Sequence, residues 1–215
     1  GAAISRRILD HLDIERFIEP MILEGGSIAV DGEGLLVTTE QCLLNPNRNP
    51  DLDRHTIDAE LCRALGLERV VWLEKGLVED ADTDGHVDNI CAFLEPDRVL
   101  LQTVNDPADP NYEGSRENVR RLEAAGIEVV EWELLPRISR EDGEPVVVPY
   151  MNLYVANGAL IVPVSGTDPD MDREALLRLE GLYPGREAVG VDARVLALGG
   201  GGIHCITQQV PVAGA

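Results

Sequence analysis

No run of roughly 18 apolar residues occurs in the 215-residue chain, which excludes a helical membrane span. The N-terminus lacks the basic-then-apolar order of a secretory signal. The chain opens Gly1-Ala2-Ala3 without an initiator methionine, as a processed chain, a cloned fragment or a tag remnant would. Positive charge is scarce: 18 lysines and arginines stand against 39 acidic residues, a formal charge of -21. Nucleic acid and anionic membrane both require a basic surface, so neither is expected as a partner. A small cationic substrate is compatible with this balance, although a solvated acidic surface accounts for most of the carboxylates. The four cysteines include no CxxC pair. That pattern fits a reducing, cytoplasmic setting with unpaired thiols better than a disulfide frame or a zinc ribbon. Cys42, Cys62 and Cys91 sit among apolar neighbours and read as small core hydrophobes. Cys205 does not.

What the chain does have is an internal period. Three stretches follow one plan: strand, tight turn, strand, loop, helix ending at glycine, and a third strand. The hairpins span 27–38, turning at Asp31-Gly32; 87–104, turning at Glu95-Pro96-Asp97; and 151–164, turning at Asn157-Gly158. Helical patterns follow from Thr56, Ser115 and Asp170, each a candidate N-cap. Ile57, Leu61, Ala64 and Leu65 in the first share one helix face. Gly66, Gly126 and Gly185 stand where a left-handed C-terminal residue is wanted. Strands are expected at Arg69–Leu73, 128–134 and 188–191. Gly66 to Gly126 is 60 residues and Gly126 to Gly185 is 59. The fold class is therefore α+β, a ββαβ unit used three times, with 203–210 opening a fourth. One unit cannot bury both its sheet and its helix, so the units must pack on one another. Residues just before the first strand of each unit should face a common centre; Glu24, His86 and Cys205 hold that position.

Each of these carries a chemical reading and a plainer one. Four glycines, Gly199 to Gly202, leave a substrate unobstructed, and the backbone N–H groups of such a turn can face a developing charge. A cysteine directly after them suits a nucleophile. A flexible loop before a buried cysteine explains the same residues equally well. In Gly85-His86-Val87-Asp88-Asn89, strand alternation would place His86 and Asp88 on one face and Val87 in the core. A carboxylate beside an imidazole favours its charged form, which suits general acid–base work; a paired surface histidine is the commoner meaning of His-x-Asp. Glu24-Gly25-Gly26 permits close packing round a ligand, or is a turn leading into a strand.

Together, Glu24-Gly25-Gly26-Ser27-Ile28 with Asp31-Gly32, the segment from Leu43 to Pro50, Gly85-His86-Val87-Asp88-Asn89 and Ile203-His204-Cys205-Ile206-Thr207-Gln208-Gln209 closely resemble the agmatine deiminase family of guanidine-modifying enzymes. The resemblance runs across essentially the whole chain. It implies the pentein fold, a five-fold pseudosymmetric α/β propeller round a central site. Residues 1–215 would form one guanidine-deiminase-like domain, a partial ring of about three and a half units from which the N-terminal units are absent. The chain would then be a fragment, or would close its ring through a homo-oligomer or a complementing N-terminal chain.

The resemblance also implies roles. Cys205 attacks the guanidinium carbon. His86 protonates the departing ammonia and then activates water. Asp88 holds the guanidinium nitrogens, Glu24 contacts His86 or the guanidinium, and Gly201 and Gly202 line the substrate. The implied reaction converts agmatine to N-carbamoylputrescine and ammonia, with no metal or organic cofactor. A zinc site from Cys205, His86, Asp88 and His204 lacks the usual ligand spacing. His204 should point to the opposite strand face as a structural residue, and 45–50 should be a rigid loop. Gly202 stands where the family usually has asparagine, and Ala29 where histidine is frequent. The rival functions are deimination of free or peptidyl arginine, amidino transfer, and guanidine binding without catalysis.

Overall fold

The computed structural model describes residues 2–210. Its three repeats fold as three copies of one small sheet. In the first, β1 (Ala29–Val30) pairs antiparallel with β2 (Leu35–Thr39). The chain then passes through α2 (Glu40–Leu43) and α3 (Arg54–Leu65) and returns as β3 (Arg69–Leu73), parallel to β2. The second repeats the plan with β4 (Cys91–Glu95), β5 (Arg98–Gln102), α4 (Tyr112–Ala124) and β6 (Glu128–Trp132). A hairpin of β7 (Arg137–Ser139) and β8 (Pro145–Val147) intervenes. The third unit comprises β9 (Tyr154–Val155), β10 (Ala159–Val164), α5 (Pro169–Leu182) and β11 (Glu187–Asp192). An N-terminal helix α1 (Ala2–Leu12) precedes the units, and α6 (Arg194–Leu198) follows them.

The middle strand of each unit is apolar on both faces because each face meets a helix. In β2, Leu36 packs with Ile57 and Leu61 of the unit's own α3, while Leu35 and Val37 join the core around Leu122 of the next unit's α4. In β5, Val99 and Leu101 share that core, and Leu100 packs with Ala175 and Leu179 of α5. Two of these interiors therefore join successive units, as the repeat required, while the core of Leu36, Ile57 and Leu61 lies within the first. Burial of side chains as large as Leu36, Leu61 and Leu122 stabilises by about 1.5–3 kcal/mol each. The described residues form separate three-stranded sheets with no closed barrel. Among them no helix is long and apolar enough to cross a membrane.

Several local expectations require correction. Asp53, not Thr56, caps α3: its carboxylate accepts the Thr56 N–H, which places Thr56 inside the first turn. Asp168, not Asp170, caps α5 by accepting from the N–H groups of Asp170 and Met171. Ser115 lies within α4, its hydroxyl turned back to Tyr112 O at 2.9 Å. Gly66, Gly126 and Gly185 do adopt positive φ, at 68°, 80° and 80°. Residues 203–210 form no strand; His204–Ile206 is a single 3₁₀ turn. A strand holds its extended form through a ladder partner, and no described strand lies beside this segment.

Candidate active site

Three 3₁₀ turns, Gly25–Ser27, Val87–Asn89 and His204–Ile206, meet at the centre of the units. Each sits at the place in its repeat that the period singled out. They bound a cleft of about 710 Å³ lined by Glu24, His86, Asp88, His204 and Cys205. The structure thus brings together residues separated by up to 181 positions in sequence, Glu24 and Cys205 being the extremes.

His86 begins a 3₁₀ turn rather than a strand, yet Val87 still enters the core. His86 and Asp88 both converge on Gly26: a methyl group there would lie 2.6 Å from His86 Nδ1 and 2.7 Å from Asp88 Oδ2. This close approach is the reason for glycine at that position. Asp88 is buried, with Oδ2 at 2.9 Å from His204 Nδ1 and 3.5 Å from Cys205 Sγ. Its other oxygen, Oδ1, is buried without a partner, as is His86 Nε2. Buried polar atoms without partners are rare, and these two belong to residues that line the cleft.

Glu24 Oε1 stands 3.7 Å from His86 Nε2. Its carboxylate is held by Arg48, whose Nε lies 2.9 Å from both carboxylate oxygens and whose Nη2 lies 2.7 Å from Oε1. Arg48 also reaches Asp84 Oδ2 at 2.8 Å and Thr83 O at 2.9 Å. Burial alone would raise the Glu24 pKa, but Arg48 and His86 hold it below the usual carboxylate range. The segment 45–50 is thus more than a rigid loop, because it delivers the guanidinium that fixes Glu24. A single arginine among Asn and Pro turn formers was the available signal. Asp80 was also missed. It accepts from His86 N at 3.1 Å and Asn89 Nδ2 at 2.9 Å, anchoring the turn that carries His86 and Asp88.

Cys205 carries a free thiol with its sulfur directed at Asp88. Burial of the sulfur and the Asp88 charge push its pKa up, while donors from the Gly202 backbone and the Asn152 side chain oppose them. Gly201 and Gly202 do not line the cleft as expected. They lie against Cys205 and Asn152 respectively, and of the four consecutive glycines Gly200 lines the cleft. His204 likewise departs from expectation: without strand alternation its ring turns into the cleft and pairs with Asp88. Ligand atoms of Glu24, Cys42 and His86 lie within 4.8 Å of one another. They suit a metal poorly, because Arg48 occupies Glu24 and burial pushes the Cys42 thiol up to about 12.

Repeated ββαβ units converging on a thiol, two imidazoles and two carboxylates define an α/β propeller of the pentein type with a central site. The profile of the Porphyromonas-type peptidyl-arginine deiminase family matches residues 1–211, and the chain belongs to that family. It is 43% identical over 232 residues to an agmatine deiminase of Medicago truncatula, an alignment covering 97% of this chain and 62% of the relative. It superposes on the C. jejuni agmatine deiminase with substrate bound at a TM-score of 0.87 and 31% identity, covering 94% of this chain and 60% of that one. A dimethylarginine dimethylaminohydrolase, 20% identical at a TM-score of 0.50, shares the fold alone. The chain spans under two thirds of the length of these relatives.

Proposed function

We propose that this chain carries the catalytic centre of an agmatine deiminase, hydrolysing a guanidinium through a covalent bond to Cys205. The observation that carries the reading is the unpartnered Asp88 Oδ1, in a carboxylate whose other oxygen is 3.5 Å from the Cys205 sulfur. A guanidinium donating two parallel N–H groups to Asp88 would satisfy that oxygen and bring its planar carbon to the thiol. Its charge would also offset that of Asp88, which otherwise works against ionisation of Cys205.

The steps follow from these positions. With substrate bound, Cys205 gives its thiol proton to His86, and the thiolate attacks the guanidinium carbon to form an S–C bond. The C–N bond to the terminal nitrogen breaks, and ammonia leaves with a proton from His86. Water then adds to the thiouronium carbon, returning a proton to His86. The S–C bond breaks, releasing N-carbamoylputrescine and the thiolate. Glu24, clamped by Arg48, stands 3.7 Å from His86 Nε2 and fixes the place of the ring that moves these protons.

Agmatine is favoured over free arginine by the cleft walls. Phe93, Met151, Leu153 and Val155 offer apolar surface for a butyl chain. Among the described residues no arginine or lysine lines the cleft, so an α-carboxylate would find no cation there. The family description supports a second reading, deimination of peptidyl arginine. Ammonia release should be measured with agmatine, arginine and an N-acyl-arginine amide. The proposal expects release from agmatine and its loss in Cys205→Ala. Agmatine binding without release would replace it with a guanidine-binding module.

A further inference from the structure

Two successive units place an asparagine two residues before their first strand: Asn89 before β4 and Asn152 before β9. Neither was singled out by the motif reading, and the two side chains are joined. Asn152 is fully buried, and its Nδ2 lies 3.0 Å from Asn89 Oδ1 and 3.3 Å from Cys205 Sγ. Its Oδ1 lies 2.9 Å from His204 N.

Which end of the amide faces the sulfur follows from the surrounding donors and acceptors. Asp80 accepts the backbone N–H of His86 and also meets Asn89 at 2.9 Å, so Asn89 turns its NH₂ group to Asp80. Asn89 therefore presents its carbonyl oxygen to Asn152, which must answer with an N–H. At the other end, the His204 backbone N–H can only donate, to the Asn152 backbone carbonyl at 3.2 Å and to its side chain at 2.9 Å, so Asn152 places its amide oxygen there. One amide proton then remains, and it points at Cys205. Reversing the group would set oxygen against oxygen and N–H against N–H, losing both side-chain bonds.

We infer that Asn152 is a positioning residue for the nucleophile, an amide donor whose second N–H is fixed on the Cys205 sulfur by the chain Asp80–Asn89–Asn152. The inference rests on Cys205 being the nucleophile. The same chain begins on the carboxylate that holds the His86 backbone, so one buried network sets both the acid–base residue and the sulfur. Gly202 is part of the arrangement: a side chain there would overlap the Asn152 amide oxygen. The bond matters because Asp88, 3.5 Å away, presents a negative charge to the same sulfur. A donor on the same sulfur, 3.3 Å away, favours the thiolate against it.

The test reads the thiol itself and not turnover, so it separates this inference from the proposed reaction. Iodoacetamide alkylation, quantified on the peptide containing Cys205, should be followed against pH in the parent chain, Asn152→Leu and Asn152→Asp. A hydrogen bond to a charged group corresponds to a midpoint shift of roughly one to two pH units. Asn152→Leu should move the midpoint up by that amount, and Asn152→Asp, which adds a charge, by at least as much. A folded Asn152→Leu with an unmoved midpoint overturns the inference. Should neither variant fold, nuclear magnetic resonance of the unaltered chain decides. The Asn152 side-chain N–H resonance should shift with the same midpoint as Cys205 alkylation, and one that stays constant through that range overturns the inference.

Discussion

Asp88 and Cys205 are neighbours in space and 117 residues apart in sequence, with Oδ2 3.5 Å from Sγ. Burial of the sulfur and this carboxylate together raise the Cys205 pKa. Alkylation of Cys205 should accordingly climb with pH toward a midpoint above the ordinary cysteine value of about 8.5. Asp88→Asn removes the opposing charge and should lower that midpoint by roughly one unit. An upward or absent shift would show that Asp88 does not act on the sulfur.

Arg48 and Glu24 give a second prediction. The Arg48 side chain is 8% exposed and satisfies two carboxylates, Glu24 and Asp84. Arg48→Ala should destabilise the fold by about 2 kcal/mol, below the usual figure for a broken buried pair because Glu24 is 38% exposed. The Glu24 pKa is lowered in the folded state, so its contribution is full above its ordinary value of 4.5 and is lost as pH falls through the folded value. Urea unfolding of both chains should show their difference narrowing below pH 4.5. A gap that is constant or widens in acid would contradict the pairing.

Gly26 makes a third. A β-carbon there would press on His86 Nδ1 and Asp88 Oδ2, at 2.6 and 2.7 Å. Gly26→Ala should fold, since the pressure falls on side chains at the cleft, and should reduce ammonia release from agmatine by about 100-fold, as displacements near 1 Å do. Unchanged activity would mean that the two groups do not need their present places.

Gly202 tests the contact with Asn152. Its added methyl would meet the Asn152 amide, which is fully buried and has little room to yield. Gly202→Ala should lower the unfolding midpoint and raise the pH midpoint of Cys205 alkylation, both read on the same sample. A variant matching the parent in both would show that Asn152 moves aside freely.

The repeat was legible because two periodicities recur in register. Apolar alternation marked the strands, and i, i+4 spacing with a terminal glycine marked α3, α4 and α5. β3 is found at the expected Arg69–Leu73 because its partner strand β2 lies within the same unit. The segment after Gly202 was misread because a strand needs a neighbour, and none is described beside 203–210. Once that segment is a 3₁₀ turn, His204 and Cys205 no longer alternate, which is how His204 comes to face Asp88. Glu24, His86, Asp88 and Cys205 were visible through glycine-flanked motifs. Arg48, Asp80, Asn89 and Asn152 act through hydrogen bonds between distant turns, which no local pattern encodes. Only the shared offset of Asn89 and Asn152 before their strands could have pointed to the last pair.

The central claim is a covalent bond between the Cys205 sulfur and the substrate carbon. Mixing the protein with agmatine, quenching in acid within the first turnover and mapping peptides by mass spectrometry tests it directly. The account predicts that the peptide containing Cys205 gains the mass of agmatine less ammonia, and that Cys205→Ser shows neither the adduct nor ammonia. Ammonia release that persists in Cys205→Ser, or an adduct on any other residue, would contradict it.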